Sequence, residues 1–438
     1  MVGMLTSLTK TWVVSVWLVP LAALPFAACT GFRDTPEAVQ HIHLASVPPA
    51  GPIRPTFPIG LYHALSGEHF GRRYSLEPLA AAGFDTVHLW RGQALEPALA
   101  EAHRLGLRVL WEYPTDAEVE AHAGDPTILG WILDEEPSTR AEPEDIAARL
   151  ADFRRRQSQL HESDPAHPVF IIDSSPPKRP SRATAWRQWL REGDVSCHFN
   201  YPIASSWFGL DSLDTPRGIP NSVAEAVEAT GGTRPFWLLV QAFSSPSHGW
   251  AWPSPAQLDA MTWAGVIHGA TGIVFFAYDS FVTRDGDVVG IGPDPVADYG
   301  DIPDFDHSGT PAMVAGSEDL ATGYRLWDET LRLVTALRRL SPALIASTAD
   351  FPYRIAVKGV SNSATPVRTL LKSGPDGLVL LAVNLDDTKL TVRLEPGRRL
   401  ESVEAIVGPP PRPSADAPGS WEAELEPFAI RAWRLATP

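Results

Sequence analysis

The stretch DPTILGWILDEEP, residues 125–137, decides how the chain is read. An apolar run from Ile128 to Leu133 stops at the consecutive acids Asp134, Glu135 and Glu136, followed by Pro137. Like charges repel, and desolvated carboxylates are costly. A chain places such acids at the end of a buried strand either because they sit in water or because a site needs them.

The surroundings of this run set its fold. Short runs rich in Val, Ile, Leu and Phe recur at 58–63, 84–90, 107–113, 128–136, 168–175, 194–201, 235–243 and 272–280. Helix signals fill the intervals. SLEPLAAAG opens at Ser75, a candidate N-cap, and stops at Gly83. ALEPALAEAHRLG puts Leu95, Leu99 and Ala102 on one face and ends at Gly106. A helix with Pro143 in its first turn follows the acids, and NSVAEAVEATGG and SPAQLDAMTWAGVIHG repeat the Ser/Asn start and Gly stop. Strand and helix alternating eight times predict parallel pairing with right-handed crossovers, an α/β chain closed into a (β/α)8 TIM barrel over 57–345. A Pro- and Gly-rich acidic insertion, 284–307, reads as a solvated lid or rim loop. From 350 to 438 the texture changes to short strands and turns without a long helix, which predicts a small antiparallel β-sandwich domain.

Strand parity then assigns directions within 128–136. Side chains alternate faces. Ile128, Gly130, Ile132, Asp134 and Glu136 share one face, and bulky Leu129, Trp131 and Leu133 share the other with Glu135. The glycine-bearing face suits the narrow lumen, so an unbroken strand points Glu136 up and inward. Barrel enzymes carry their chemistry at the C-terminal strand ends. Those ends offer His63, Trp90, Arg91, Glu112, Asp173, Asn200, Tyr201, Gln241, Tyr278 and Asp279 in addition to the acids.

The N-terminus stands apart. Residues 1–29 carry an apolar run behind Lys10 and read as an export signal. Its end, FAAC, resembles a bacterial lipobox, with Phe26 where Leu is usual; that resemblance implies lipidation at Cys29 and a place in the cell envelope, with simple secretion as the alternative. Residues 30–56 form a Pro-rich spacer. Cys197 is the one other cysteine, so no cysteine cluster can hold zinc, and no metal or other cofactor is expected. The net charge of −16 argues against nucleic acid or an anionic membrane surface as partner and permits a neutral substrate. Membrane association is expected only through the lipid anchor. The 15 Trp could stack on sugar rings or fill cores.

DPTILGWILDEEP resembles the hPxxxGWyxxDEP segment of TIM-barrel glycoside hydrolases and their bacterial lipoprotein-type relatives. LAAAGFDTVHLW, AHRLGLRVLWEY, FWLLVQAF and HGATGIVFFAY are similar to the second, third, seventh and eighth strand regions, and FAIRAWRL to the last strand of the accompanying sandwich. The resemblance implies hydrolysis of O-glycosidic bonds in an oligo- or polysaccharide, with Glu136 at the position of the acid/base glutamate and Glu135 at that of its preceding Asp or Asn. Such chemistry needs a protonated acid for the leaving oxygen and a second carboxylate. The family's retaining members carry that second carboxylate at the end of the seventh strand, where this chain has Gln241. Glu112, Asp173 or Asp279 then has to supply it, or the substrate assists its own cleavage, or the barrel binds glycan without cutting it. The remaining strand-end residues are expected to bind sugar hydroxyls, and Trp111 to fill the core.

Overall fold

The computed structural model describes residues 56–438 except 70–71, 141–143, 176–179, 204–212, 214–217, 246–248, 284–285, 293–316 and 359–364. The lipidation candidate Cys29 and most of the acidic insertion lie outside the described residues. Among the described residues no helix is long and apolar enough to cross a membrane.

Eight parallel strands close into a barrel: β1 (Ile59–Ala64), β2 (Thr86–Leu89), β3 (Arg108–Glu112), β4 (Ile128–Glu135), β5 (Val169–Ser174), β6 (Val195–Asn200), β7 (Phe236–Gln241) and β8 (Gly272–Phe276). Each pairs with its neighbour in sequence, and β1 closes on β8. The expected TIM barrel is therefore present. Nine helices are described: α1 (Glu77–Ala81), α2 (Leu95–Leu105), α3 (Asp116–Ala121), α4 (Pro137–Arg140), α5 (Ile146–Ser163), α6 (Pro180–Trp189), α7 (Ile219–Ala229), α8 (Pro255–Ile267) and α9 (Ser317–Leu344).

Local chemistry sets several of these ends. Thr115 and Glu118 cap α3 reciprocally, as Ser254 and Gln257 do for α8, satisfying N–H groups that the first turn leaves free. Gly106 ends α2 in the left-handed conformation, at φ 71°. Several starts differ from expectation: α1 has Leu76 rather than Ser75 at its N-cap, and α5 begins at Ile146 rather than with Pro143 in its first turn. The helix after β6 begins at Ile219, with Pro220 in its first turn, rather than at Asn221. A one-turn helix, α4, follows the acids directly at Pro137, ahead of α5.

Alternation sorts the strands into two apolar layers. Tyr62, Leu110, Ile132, Phe170, Ile172, Val195, Cys197, Trp237, Leu239 and Val274 fill the lumen. Val87, Val109, Trp111, Trp131, Leu133, Ile171, Leu238 and Ile273 pack with the helix layer. At Gly130 an added Cβ would lie 2.5 Å from the Phe170 ring and 2.6 Å from the Pro168 carbonyl, so the lumen plug needs glycine there. Trp131 turns outward and donates its indole N–H to the buried Asp164 at 2.8 Å.

One irregularity matters for function. Ile132 pairs with Phe170 but Asp134 pairs with Ile171, so β4 carries an extra residue at Leu133. A bulge of this kind reverses the alternation beyond it.

After α9 comes the expected sandwich. One sheet orders β9 (Tyr353–Val357), β12 (Leu390–Pro396), β15 (Trp421–Leu425) and β14 (Arg412–Pro413). The other orders β10 (Val367–Gly374), β11 (Gly377–Asn384), β16 (Ile430–Ala436) and β13 (Ser402–Val407). Leu371, Leu380, Val392, Leu394, Leu425 and Trp433 fill the space between them. Val379, Leu381, Val383 and Ala432 join the barrel's outer core instead, so the second sheet is covered on both faces.

Candidate active site

The C-terminal ends of the strands surround a cleft of about 570 Å³. Three strands deliver side chains to it by the same device. β1, β3 and β4 each bring an inward residue to the rim: Tyr62, Glu112 and Glu135 respectively. Each is followed by a non-glycine residue in the left-handed region, His63 (φ 59°), Tyr113 (φ 46°) and Glu136 (φ 53°). That conformation breaks alternation, so His63, Tyr113 and Glu136 line the cleft beside Glu112 and Glu135. Non-glycine residues held there cost about 1–3 kcal/mol each and cluster at functional sites.

The bulge at Leu133 corrects the parity expectation. Leu133 and Asp134 both leave the lumen face, and Glu135 takes the inward place. Asp134 turns to α5, where Arg149 grips both its oxygens, from Nε at 2.9 Å and from Nη2. Glu136 lines the cleft through its left-handed backbone, and its carboxylate accepts from Arg140 Nε at 2.7 Å. Arg140 stands on α4, whose first turn receives the carbonyl of Glu136.

Glu135 lies between groups of opposite effect. Tyr62 donates its hydroxyl to Glu135 Oε1 at 2.8 Å, and Arg140 Nη2 stands 3.7 Å from Oε2. Burial and the neighbouring Glu112 charge outweigh these and raise the Glu135 pKa from 4.5 to about 7. The Tyr62 ring stacks on His88 with centroids 3.6 Å apart and planes at 1°. His88 accepts the His63 backbone N–H at Nδ1 (3.4 Å), which leaves Nε2 to carry the proton, 3.4 Å from Glu112 Oε2. Two stacked rings on adjacent strands thus each address one carboxylate, Tyr62 holding Glu135 and His88 facing Glu112. Burial and the nearby His88 lower the pKa of His63 well below its usual value, so it is neutral, stacked on Trp90 at 4.1 Å. Arg91 lines the cleft and donates to the Glu112 carbonyl at 3.4 Å.

The opposite wall is aromatic. Tyr201 stacks between Phe199 (4.9 Å) and Phe276 (5.4 Å), with Phe243 and Trp250 edge-on to it. The cleft therefore has an acidic side from β1–β4 and an apolar, π-rich side from β6–β8.

Five expected rim residues do not line it. Asp173 is on the outward face of β5 and accepts from Ser138 Oγ at 2.8 Å and from Ser174 N at 2.8 Å, anchoring α4. Burial raises its pKa to about 7. Arg182 pins the same turn through the carbonyls of Ser138 and Thr139. Asn200 is outward on β6 and donates to Ser222 of α7 at 2.9 Å. Tyr278 packs in the outer layer against Trp327. Asp279 accepts the Leu65 backbone N–H at 2.9 Å. Gln241 points inward but is fully buried. Its Oε1 accepts from Ile203 N at 2.9 Å, and its Nε2 donates to the carbonyls of Ile203 (2.9 Å) and Ala251 (3.0 Å). Only an amide offers an acceptor and two donors at once, so Gln241 clasps the loops after β6 and β7. Among the described residues no group of three or more His, Cys, Asp or Glu is placed to hold a metal ion. Tyr62, His88, Tyr113, Arg140, Phe199, Phe243, Trp250 and Phe276 were not singled out from the sequence; inward parity at each strand end marks Tyr62, His88, Phe199 and Phe276.

No protein-family model and no curated protein sequence matches the chain. Solved structures do. Amy13B of Eubacterium rectale is similar at 8% identity, over 87% of this chain and 96% of that one, with a TM-score of 0.50. The family 51 α-L-arabinofuranosidase AbfB of Bifidobacterium longum is similar at 11% identity over 91% and 98% (TM-score 0.48), and a GH30 endoxylanase of Clostridium papyrosolvens C71 at 9% over 87% and 97% (TM-score 0.46). What the likeness to Amy13B shows is the fold, a (β/α)8 barrel followed by a β-sandwich. The resemblance read from 125–137 and the other strand regions holds at the level of the fold.

Proposed function

We propose that the protein hydrolyses O-glycosidic bonds of an oligo- or polysaccharide, with Glu135 as general acid and Glu112 as the second carboxylate. The observation that carries this reading is the pairing of two inward carboxylates on adjacent strands, one with its pKa raised to about 7, across a cleft from an aromatic wall. A general acid must hold its proton near neutrality, and burial, reinforced by repulsion from Glu112, gives Glu135 that property. When the proton passes to the leaving oxygen, Tyr62 and Arg140 are already in place to stabilise the carboxylate left behind. The aromatic wall of Phe199, Tyr201, Phe243, Trp250 and Phe276 offers apolar surface for a sugar ring. Glu136, at the position the family resemblance gives to the acid, has its carboxylate engaged by Arg140 Nε at 2.7 Å.

A second reading, a surface protein that binds glycan without cutting it, has Gln241 at the end of β7 in its favour. The N-terminal run ending at Cys29 supports an exported, lipid-anchored location for either reading.

Reducing-sugar release from a panel of plant, algal and bacterial glycans separates the two. The full chain should release sugar, Glu135→Gln should lose at least about a hundredfold in kcat/KM, and Glu136→Gln should lose less. The parent kcat/KM should fall as pH rises through about 7, because the acid then loses its proton. Release that survives Glu135→Gln but not Glu136→Gln would move the acid one residue on. Binding without release, equal in all three proteins, would establish the second reading.

A further inference from the structure

A second cleft, of about 510 Å³, opens on the sandwich between the turn 396–400 and the segment 413–421. It shares no residue with the barrel cleft. Arg398, Arg399, Pro413, Pro418, Gly419 and Trp421 are among its lining residues, and no acidic residue is.

Its two arginines differ from four other cations of this domain. Arg354, Arg393, Lys389 and Arg434 each stand within ion-pair distance of a carboxylate. Arg398 and Arg399 are exposed and have no hydrogen bond or ion pair to any described residue. The chain as a whole carries a charge of −16, yet here it presents two consecutive arginines to a cleft whose lining holds no acid.

The walls are held in place. Gly397 donates its N–H to the Pro352 carbonyl at 2.7 Å, and an added Cβ there would lie 2.8 Å from the Pro352 ring. On the facing segment Ser414 N donates to the Ser420 carbonyl (2.9 Å), and Ser420 N to the Ala417 carbonyl (3.0 Å). Trp421 is half-buried at the edge of the sandwich core, opposite Leu394 on one side and Pro413 on the other. A ligand therefore meets a site already shaped, which lowers the ordering cost of binding.

We propose that this cleft binds an anionic saccharide, a uronate or a sulfated sugar. An indole beside a guanidinium pair matches a ring that carries an acid group: the apolar sugar face meets Trp421, and the carboxylate or sulfate takes the parallel N–H donors of Arg398 and Arg399. A lipid headgroup surface is disfavoured, because membrane-surface recognition draws on about four to eight clustered cations and this cleft offers two.

The test is affinity electrophoresis of the full chain carrying Glu135→Gln, so that binding is read without turnover and independently of the hydrolase reading. Polygalacturonate and dextran sulfate are the probes, with dextran as the neutral control and poly-glutamate as the polymeric anion without a sugar. We expect retardation by one or both anionic glycans and none by dextran, weakened about tenfold or more in Arg398→Gln/Arg399→Gln. The double variant should leave melting temperature unchanged, since both side chains are exposed and unpaired. Polygalacturonate alone would assign a carboxylate ligand, and dextran sulfate alone a sulfate. Retardation by poly-glutamate equal to that by the glycans, retardation unchanged in the double variant, or no retardation by either anionic glycan would overturn the proposal.

Discussion

Gln241→Glu separates a lost catalytic carboxylate from a structural amide. If β7 had merely lost a nucleophile, restoring the acid would raise hydrolysis. The geometry predicts the opposite. In Gln241 the amide nitrogen serves two carbonyls, and Ile203 O keeps a second donor, Ala251 N, at 3.2 Å. A carboxyl group in the same place can donate at most one bond, and a carboxylate none. Leaving a buried acceptor unsatisfied costs about 1–3 kcal/mol, which is the expected loss at pH 5 with the new acid protonated. Facing two carbonyl oxygens in a fully buried position, its folded-state pKa will be raised. A raised folded pKa gives stability that is complete below the unfolded value, near 4.3, and lost as pH rises towards the folded one. Each pH unit in that window adds about 1.4 kcal/mol, so pH 7 should cost roughly 3 kcal/mol more than pH 5. Thermal unfolding of parent and variant at the two pH values measures this, with sugar release assayed alongside. A variant as stable as the parent at pH 7, or one with higher activity, would refute the clasp.

Two further outcomes follow from the cleft. Tyr62→Phe removes a hydrogen bond that favours ionised Glu135, so the alkaline limb of the kcat/KM profile should move up from about 7, by about one pH unit or less. Asp173, with its folded pKa raised to about 7, destabilises the protein increasingly as pH rises from 4 to 7; Asp173→Asn keeps an acceptor for Ser138 and should flatten that loss, a gain of up to about 4 kcal/mol at pH 8 in urea unfolding.

The barrel was legible because its signals are long-range and redundant. Eight apolar runs separated by capped helices admit few topologies, and a wrong boundary, such as Asn221 for Ile219, changes nothing downstream. The site was legible only in outline, because it turns on single-residue irregularities. One extra residue at Leu133 exchanges Glu136 for Glu135 at the inward position, and nothing in Ile-Leu-Asp-Glu-Glu announces it. Asp173, Asn200 and Tyr278 were misplaced for a simpler reason. Lying at a strand end does not bring a side chain to the mouth of the barrel; its parity must also be inward, and theirs is outward. The same rule, extended beyond β4, marks Tyr62 and His88. Gln241 has the right parity, but its role depends on two loop carbonyls that only the folded chain brings to it.

The Gly130-Trp131 pair has a consequence for how such chains diverge. Gly130 is required by the ring of Phe170, and Trp131 by the carboxylate of Asp164; neither touches the cleft. The dipeptide is thus a hallmark of the scaffold and silent about turnover. A descendant that abandoned its chemistry would be free to erode Tyr62 with Glu135, and His88 with Glu112, while Gly-Trp stayed fixed by the architecture.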